Sequence, residues 1–150
     1  MKFFNRTPVR TFLVYPLLTL LWELFLGRGQ LNVEPIFLPL MLWGYLQYRL
    51  CGLYRMKHGG GGPGPDTPPE RLVSTGPYAC TRNPMYLGHL IFLLGLMLTL
   101  KSWLAALITL AVAPWFHLRV LDDERRLVKR LGKPYVHYMR SVRRWIPAIF

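Results

Sequence analysis

The chain has 150 residues, which is room for one domain. Hydrophobic residues make up 52% of it and charged residues only 17%, whereas about a quarter of a soluble domain is charged. The two cysteines are too few for a disulfide scaffold. Together with the four histidines they show no spacing typical of a zinc site. We therefore expect a single lipid-facing domain over residues 1–150, without a metal.

Four apolar segments are candidates for membrane-spanning helices. The strongest two carry no charge over 83–100 and 102–118. At about 1.5 Å per residue, each forms about 25–27 Å of helix, which nearly crosses a hydrocarbon core of about 30 Å. Lys101 and Ser102 then form a tight hairpin between them. We predict an all-α integral membrane fold with about four transmembrane helices, at 11–26, 35–54, 84–100 and 102–119.

Lysine and arginine are distributed very unequally between the two sides of the membrane that these spans define. One side, which includes both termini and the 55–82 loop, carries 17 of them, and the other side carries 2. This asymmetry places both termini and that loop in the cytoplasm. The net charge of +12 suits contact with anionic lipid headgroups. We find no motif that reads RNA or DNA, so no nucleic-acid partner is expected.

The loop before the third span is rich in glycine and proline from Gly59 to Pro69. Such a run excludes a regular helix or strand. It permits a close approach of the backbone to a ligand, with N–H groups free to face an anion; a flexible linker is the alternative interpretation. The loop ends at Arg82-Asn83, which lies at the mouth of the helix that Pro84 begins.

The C-terminal tail has the pattern of two surface-lying amphipathic helices, separated by Gly132 and Pro134. Its acidic run either pairs within the helix or contributes to a site. The residues concerned are Asp122, Asp123 and Glu124, with Arg125, Arg126 and Lys129 as the intrahelical partners.

Arg119 and Asp123 are four residues apart and therefore share a helix face where the fourth span ends. Opposite the Arg82-Asn83 mouth, they could enclose a polar ligand beside an apolar cavity. This arrangement suits a soluble cosubstrate that meets a lipid-soluble substrate.

Two sequence blocks flank the predicted hairpin. The first is Gly76-x-Tyr78, then Arg82-Asn83-Pro84-Met85-Tyr86 with Gly88; the second is Asp123-Glu124, Leu127, Gly132, Tyr135 and Tyr138, closing at Pro147. In this order they resemble the membrane methyltransferases typified by isoprenylcysteine carboxyl methyltransferase and phosphatidylethanolamine N-methyltransferase. Asn83 stands where the eukaryotic carboxyl methyltransferases have histidine, and Asp123 where the family has glutamate.

The resemblance implies S-adenosylmethionine as the methyl donor, bound by the segments 59–88 and 119–147. By position in the family pattern, the donor contacts would be Glu70, Arg71, Leu72, Val73, Tyr78, Arg82, Asn83, Pro84, Met85, Tyr86, Gly88, Asp123 and Glu124. Arg119 matches an arginine that faces the methyl acceptor, and is the predicted catalytic residue through acceptor positioning.

The resemblance thus favours methyl transfer to a lipophilic or lipidated acceptor in the membrane, on the carboxylate of an isoprenylcysteine-like substrate. Phospholipid amines, small hydrophobic thiols and a non-catalytic lipid or nucleotide sensor are the alternatives. An amine acceptor would need a base, for which His89 and His117 are candidates. A homo-oligomer is an option if four helices cannot close the acceptor cavity.

Overall fold

The computed structural model describes residues 6–64 and 66–145, and within these ranges the chain is helical, with no strand. Helix α1 is Thr7–Leu26. The 3-10 turn Pro35–Phe37 leads into α2, Leu38–Gly59. A short α3, Pro77–Cys80, precedes α4, Pro84–Leu100. Helix α5 is Trp103–Leu131 and α6 is Lys133–Ser141. Pro147, the predicted end of the second block, lies outside the described residues.

Within the described ranges, two helices, α1 and α5, are long and apolar enough to cross a membrane, and α4 is a shorter apolar helix. All four predicted spans are thus helical, but α2 fails the same test and the predicted count of four is not confirmed. In the apolar windows of α1 and α5 only 11% and 22% of residues are buried. Large apolar side chains such as Phe25 and Leu110 are more than 70% exposed, as expected of a surface that faces lipid.

The chain divides into two compact units. The first contains the described residues of Met1–Leu46 together with Gly88–Pro114, and the second contains Gln47–Leu87 with the described residues of Trp115–Phe150. The predicted site residues fall in the second unit, except Gly88, which lies in the first.

The first unit is held together by close helix packing. A Cβ on Gly44 of α2 would lie 2.4 Å from the backbone nitrogen of Phe92 in α4. Only glycine allows that approach, and small residues at such contacts are typical of membrane helices. The ring of Phe12 from α1 packs on His89 and Phe92, with centroids 4.7 and 4.8 Å apart.

The predicted hairpin at 101–102 is confirmed. Lys101 takes a positive φ of 48°, and the Ser102 hydroxyl accepts a hydrogen bond from the Ala105 N–H at 3.2 Å. Ser102 therefore caps α5, since its side chain satisfies a backbone donor that has no partner within the helix.

The tail follows the prediction only in part. Gly132 adopts φ 64°, ψ −142°, and separates α5 from α6, as expected. The predicted separate amphipathic helix before Gly132 is wrong, because α5 continues without a break from Trp103 to Leu131. No glycine or proline lies between 119 and 131 to end it, so the helix carries its apolar segment directly into a charged one.

Candidate functional site

The second unit is organised around one buried carboxylate, that of Glu124 on α5. Its Oε1 accepts a hydrogen bond from Nε of Arg82 at 2.9 Å and from the Asn83 side-chain amide at 3.3 Å. Its Oε2 accepts from Nε of Arg144 at 3.0 Å. The side chains of Glu124 and Arg82 are only 4% and 7% exposed. A buried charge of this kind needs such partners, because an unpaired carboxylate would be strongly disfavoured away from water.

Arg82 also joins the start of α4 to the C-terminal tail. Its Nη1 donates to the backbone carbonyls of Met139 and Val142, at 2.7 and 2.5 Å. Its own backbone N–H donates to the carbonyl of Arg143 at 2.9 Å. These bonds satisfy the carbonyl of Met139 in the last turn of α6 and those of Val142 and Arg143 just beyond the helix. The Arg82-Asn83 mouth is thus fixed to the tail.

A second chain of polar contacts runs beside this network and begins at Asp123. The Tyr86 hydroxyl donates to Oδ2 of Asp123 at 2.7 Å and accepts from Nε of Arg119 at 2.9 Å. Nη2 of Arg119 forms an ion pair with the carboxylate of Asp66. The guanidinium lies 5.4 Å from the centre of the Trp115 ring, within reach of a cation–π contact. Arg119 and Asp123 thus share a helix face, as predicted, and Tyr86 connects them.

The glycine-proline segment is ordered by Arg55 of α2. Nη2 of Arg55 donates to the backbone carbonyls of Gly62, Gly64 and Thr67. The Gly59 carbonyl receives the N–H groups of Glu70 and Arg71, at 2.8 and 2.9 Å. These hydrogen bonds do not fit the alternative interpretation of the segment as a flexible linker. We call residues 60–69 the glycine-proline loop, except Pro65, which is outside the described residues.

The loop, the mouth of α4 and the tail enclose a cavity of about 100 Å³ in the second unit. Its wall is partly apolar and aromatic, and two carboxylates, one amide and four guanidinium groups also line it. The lining residues are Arg55, Asp66, Pro68, Pro69, Leu72, Val73, Tyr78, Arg82, Asn83, Tyr86, Arg119, Asp123, Arg126, Leu127, Leu131, Tyr135 and Tyr138.

Three tyrosines outside the apolar spans form one side of this cavity. Burial raises the pKa of Tyr78, Tyr135 and Tyr138 above the ordinary value of a phenol. They therefore stay neutral at physiological pH. The Tyr138 hydroxyl donates to the Tyr78 carbonyl at 2.6 Å, and the Tyr78 hydroxyl to the Cys51 carbonyl at 3.3 Å. These bonds hold the rings of Tyr78 and Tyr138 in place, and the Tyr135 ring packs against that of Tyr138, with centroids 5.8 Å apart.

The predicted site residues divide into two groups. The cavity brings together eight of them: Leu72, Val73, Tyr78, Arg82, Asn83, Tyr86, Arg119 and Asp123. The remaining six do not line it: Glu70, Arg71, Pro84, Met85, Gly88 and Glu124.

The positions and contacts of most of these six residues explain why they do not line the cavity. Glu70 and Arg71 are exposed, and Pro84 and Met85 are buried at the start of α4. Glu124 is committed to Arg82 and Arg144. Of the acidic run, Asp122 alone makes a close intrahelical pair, with Arg125 at 3.1 Å, whereas Asp123 and Arg126 are 3.9 Å apart.

Sequence reasoning missed several cavity residues. Tyr135 and Tyr138 belong to the second motif block and are three residues apart on one helix face, which could have identified them. Asp66 and Arg55 carried no local signal, because their partners are far away in the sequence. His117, a candidate base, does not line the cavity, and its Nδ1 lies 3.1 Å from Nε1–H of Trp145.

One comparison with known proteins falls on this same region. The family model for phospholipid methyltransferases matches residues 62–132. The protein-S-isoprenylcysteine O-methyltransferase of Schizosaccharomyces pombe is 34% identical over 79 residues, which cover 52% of this chain and 34% of that relative. The chain thus spans about a third of that relative's length. No solved structure matches.

The family match includes the mouth of α4 and the hairpin, and most cavity residues lie within 62–132. Together with the apolar helices α1 and α5, the comparisons indicate a membrane protein. The comparisons support the family suspected from the two sequence blocks, that of the membrane methyltransferases.

Proposed function

We propose that this protein transfers a methyl group from S-adenosylmethionine to a lipophilic acceptor in the membrane, and that the favoured acceptor is the carboxylate of an isoprenylcysteine-like molecule. The observation that carries the proposal is the cavity in which Asp123, Tyr86 and Arg119 are hydrogen-bonded in series beside a tyrosine-lined wall. The S. pombe relative's name supports this acceptor, and the family match supports methyl transfer.

The donor suits the chemistry of the cavity wall. Tyr78, Tyr135 and Tyr138 offer neutral aromatic faces for an adenine ring. Asp123 has a carboxylate that can accept hydrogen bonds from ribose hydroxyls or from the donor's ammonium group. At about 100 Å³ the cavity is smaller than the roughly 300–1,000 Å³ of typical small-molecule sites. We therefore expect the glycine-proline loop to move outward when a ligand binds.

Arg119 binds the carboxylate of the methyl acceptor in this proposal. Its guanidinium complements a carboxylate in charge and in geometry. Because a carboxylate is already ionised near neutral pH, it needs no base before it attacks the methyl group. The donor supplies a methyl group activated by a sulfonium. The chain's residues then have to align the acceptor and exclude water from the cavity.

Phospholipid amine N-methylation is the second candidate, since the family model that matches is that of phospholipid methyltransferases. An ammonium acceptor must first lose a proton. Next to a guanidinium such as that of Arg119, its positive charge is disfavoured. A small hydrophobic thiol, or a lipid or nucleotide sensor without turnover, completes the alternatives. The asymmetry of 17 basic residues to 2 supports a cytoplasmic donor site and cytoplasmic termini.

The test is methyl transfer from labelled S-adenosylmethionine by the purified protein in liposomes. The acceptors compared are a farnesylated cysteine with a free carboxylate, phosphatidylethanolamine and a hydrophobic thiol. We expect label in the farnesylcysteine ester, and much less with Arg119→Gln. Label in phosphatidylethanolamine alone would favour the second candidate. Donor binding without transfer to any acceptor would favour the sensor.

A further inference from the structure

Two contacts from helical residues hold the side chain of Arg119, in addition to its ion pair with Asp66. Tyr86, which is only 5% exposed, fixes its Nε, and Trp115 lies against its face. Both partners are helical residues that belong to the second unit. These contacts orient the guanidinium whether or not anything binds its other nitrogens.

The remaining contact is of a different kind. Nη2 pairs with Asp66, which comes from the glycine-proline loop rather than from a helix. The side chains of Asp66 and Arg119 are 39% and 27% exposed. An ion pair that reaches solvent in this way is weak, so another anion can replace it at little cost.

We propose that the Asp66 carboxylate occupies, on Arg119, the position that the carboxylate of the methyl acceptor takes, so that acceptor binding displaces the Asp66 side chain from Arg119. This inference rests on the proposed function, and it makes Asp66 a residue that determines specificity. An acceptor with a carboxylate replaces the lost ion pair with an equivalent one. A neutral acceptor of the same shape leaves Arg119 paired with Asp66 and has to bind beside that ion pair.

The lining of the cavity also supports this role of Asp66. Asp66 and Arg119 both line it, so their ion pair lies on its wall. The same loop is tied to Arg55 through the backbone carbonyls of Gly62, Gly64 and Thr67. Breaking the contact between Asp66 and Arg119 therefore leaves the loop's anchor on α2 in place.

The experiment measures binding of N-acetyl-S-farnesylcysteine and of its uncharged carboxamide to the detergent-purified protein, with and without S-adenosylhomocysteine. Wild type is compared with Asp66→Asn. Asp122→Asn is the matched control, because it makes the same change of charge at an exposed residue paired with Arg125. We expect Asp66→Asn to bind the carboxylate more tightly, by up to about five-fold, which is the upper range for an exposed ion pair. The carboxamide should bind both proteins equally, and the control should match wild type.

Three results would overturn the proposal. An equal gain for carboxylate and carboxamide would mean that the substitution merely opens the loop. A gain for S-adenosylhomocysteine of the same size would assign the position on Arg119 to the donor's own carboxylate. Binding of neither farnesylcysteine ligand to either protein would exclude an acceptor carboxylate there. Failure of the proposed function gives a different pattern, in which S-adenosylhomocysteine does not bind while the preference for the carboxylate remains measurable.

Discussion

Replacing Glu124 with alanine should destabilise the protein rather than remove a donor contact. The carboxylate is 4% exposed and accepts from Arg82, Asn83 and Arg144. Its loss leaves the Arg82 guanidinium, itself 7% exposed, without its ionic partner. Removing one partner of a buried ion pair costs about 3–5 kcal/mol, and at about 2–4 °C per kcal/mol the expected loss in Tm is about 6–20 °C.

The assay is thermal unfolding in detergent, followed by circular dichroism. Asp122→Ala is the control, because it removes the same charge two residues earlier on α5, from a side chain 59% exposed. Its effect should stay within about 0.5 kcal/mol, as is usual for exposed positions. Glu124→Gln, which keeps a hydrogen-bond acceptor, should lie between the two. Equal Tm values for Glu124→Ala and Asp122→Ala would refute the idea that Glu124 holds the tail to the mouth of α4.

Two further substitutions test the packing and the loop. Gly44→Ala should lower Tm by several degrees, because the added Cβ would meet the Phe92 backbone. Gly64→Ala should leave Tm unchanged, because its Cβ meets nothing within 4 Å. Equal Tm values for the two variants would contradict this packing. Arg55→Lys keeps the charge but loses the planar guanidinium that faces three loop carbonyls. Limited proteolysis within 60–69 should therefore become several-fold faster, and an unchanged rate would mean that Arg55 does not order the loop.

Local patterns predicted the parts of the site that depend on short spacing. The hairpin at 101–102, the break at Gly132 and the shared face of Arg119 and Asp123 all follow from residues a few positions apart. Such features depend on backbone geometry and helix periodicity, both of which a sequence displays directly.

Contacts between distant residues were not predictable in this way. Glu124 was assigned to the donor site because the family pattern places it beside Asp123, but its side chain turns to Arg82 and Arg144. Neighbouring residues on a helix point in directions about 100° apart, so a motif that names both cannot say which one faces the cavity. Asp66 was passed over for a related reason, since its partner Arg119 is 53 residues away.

The central claim is that the cavity in the second unit binds the methyl donor through Asp123. The most direct measurement is calorimetric titration of S-adenosylmethionine and S-adenosylhomocysteine into the detergent-purified wild type, Asp123→Ala and Asp122→Ala. A hydrogen bond to a charged group contributes roughly 1.5–3 kcal/mol, so we predict that Asp123→Ala weakens binding by about ten-fold or more. Asp122→Ala should bind as wild type does. Absence of binding to a folded wild type, or equal affinities for the two variants, would contradict the account.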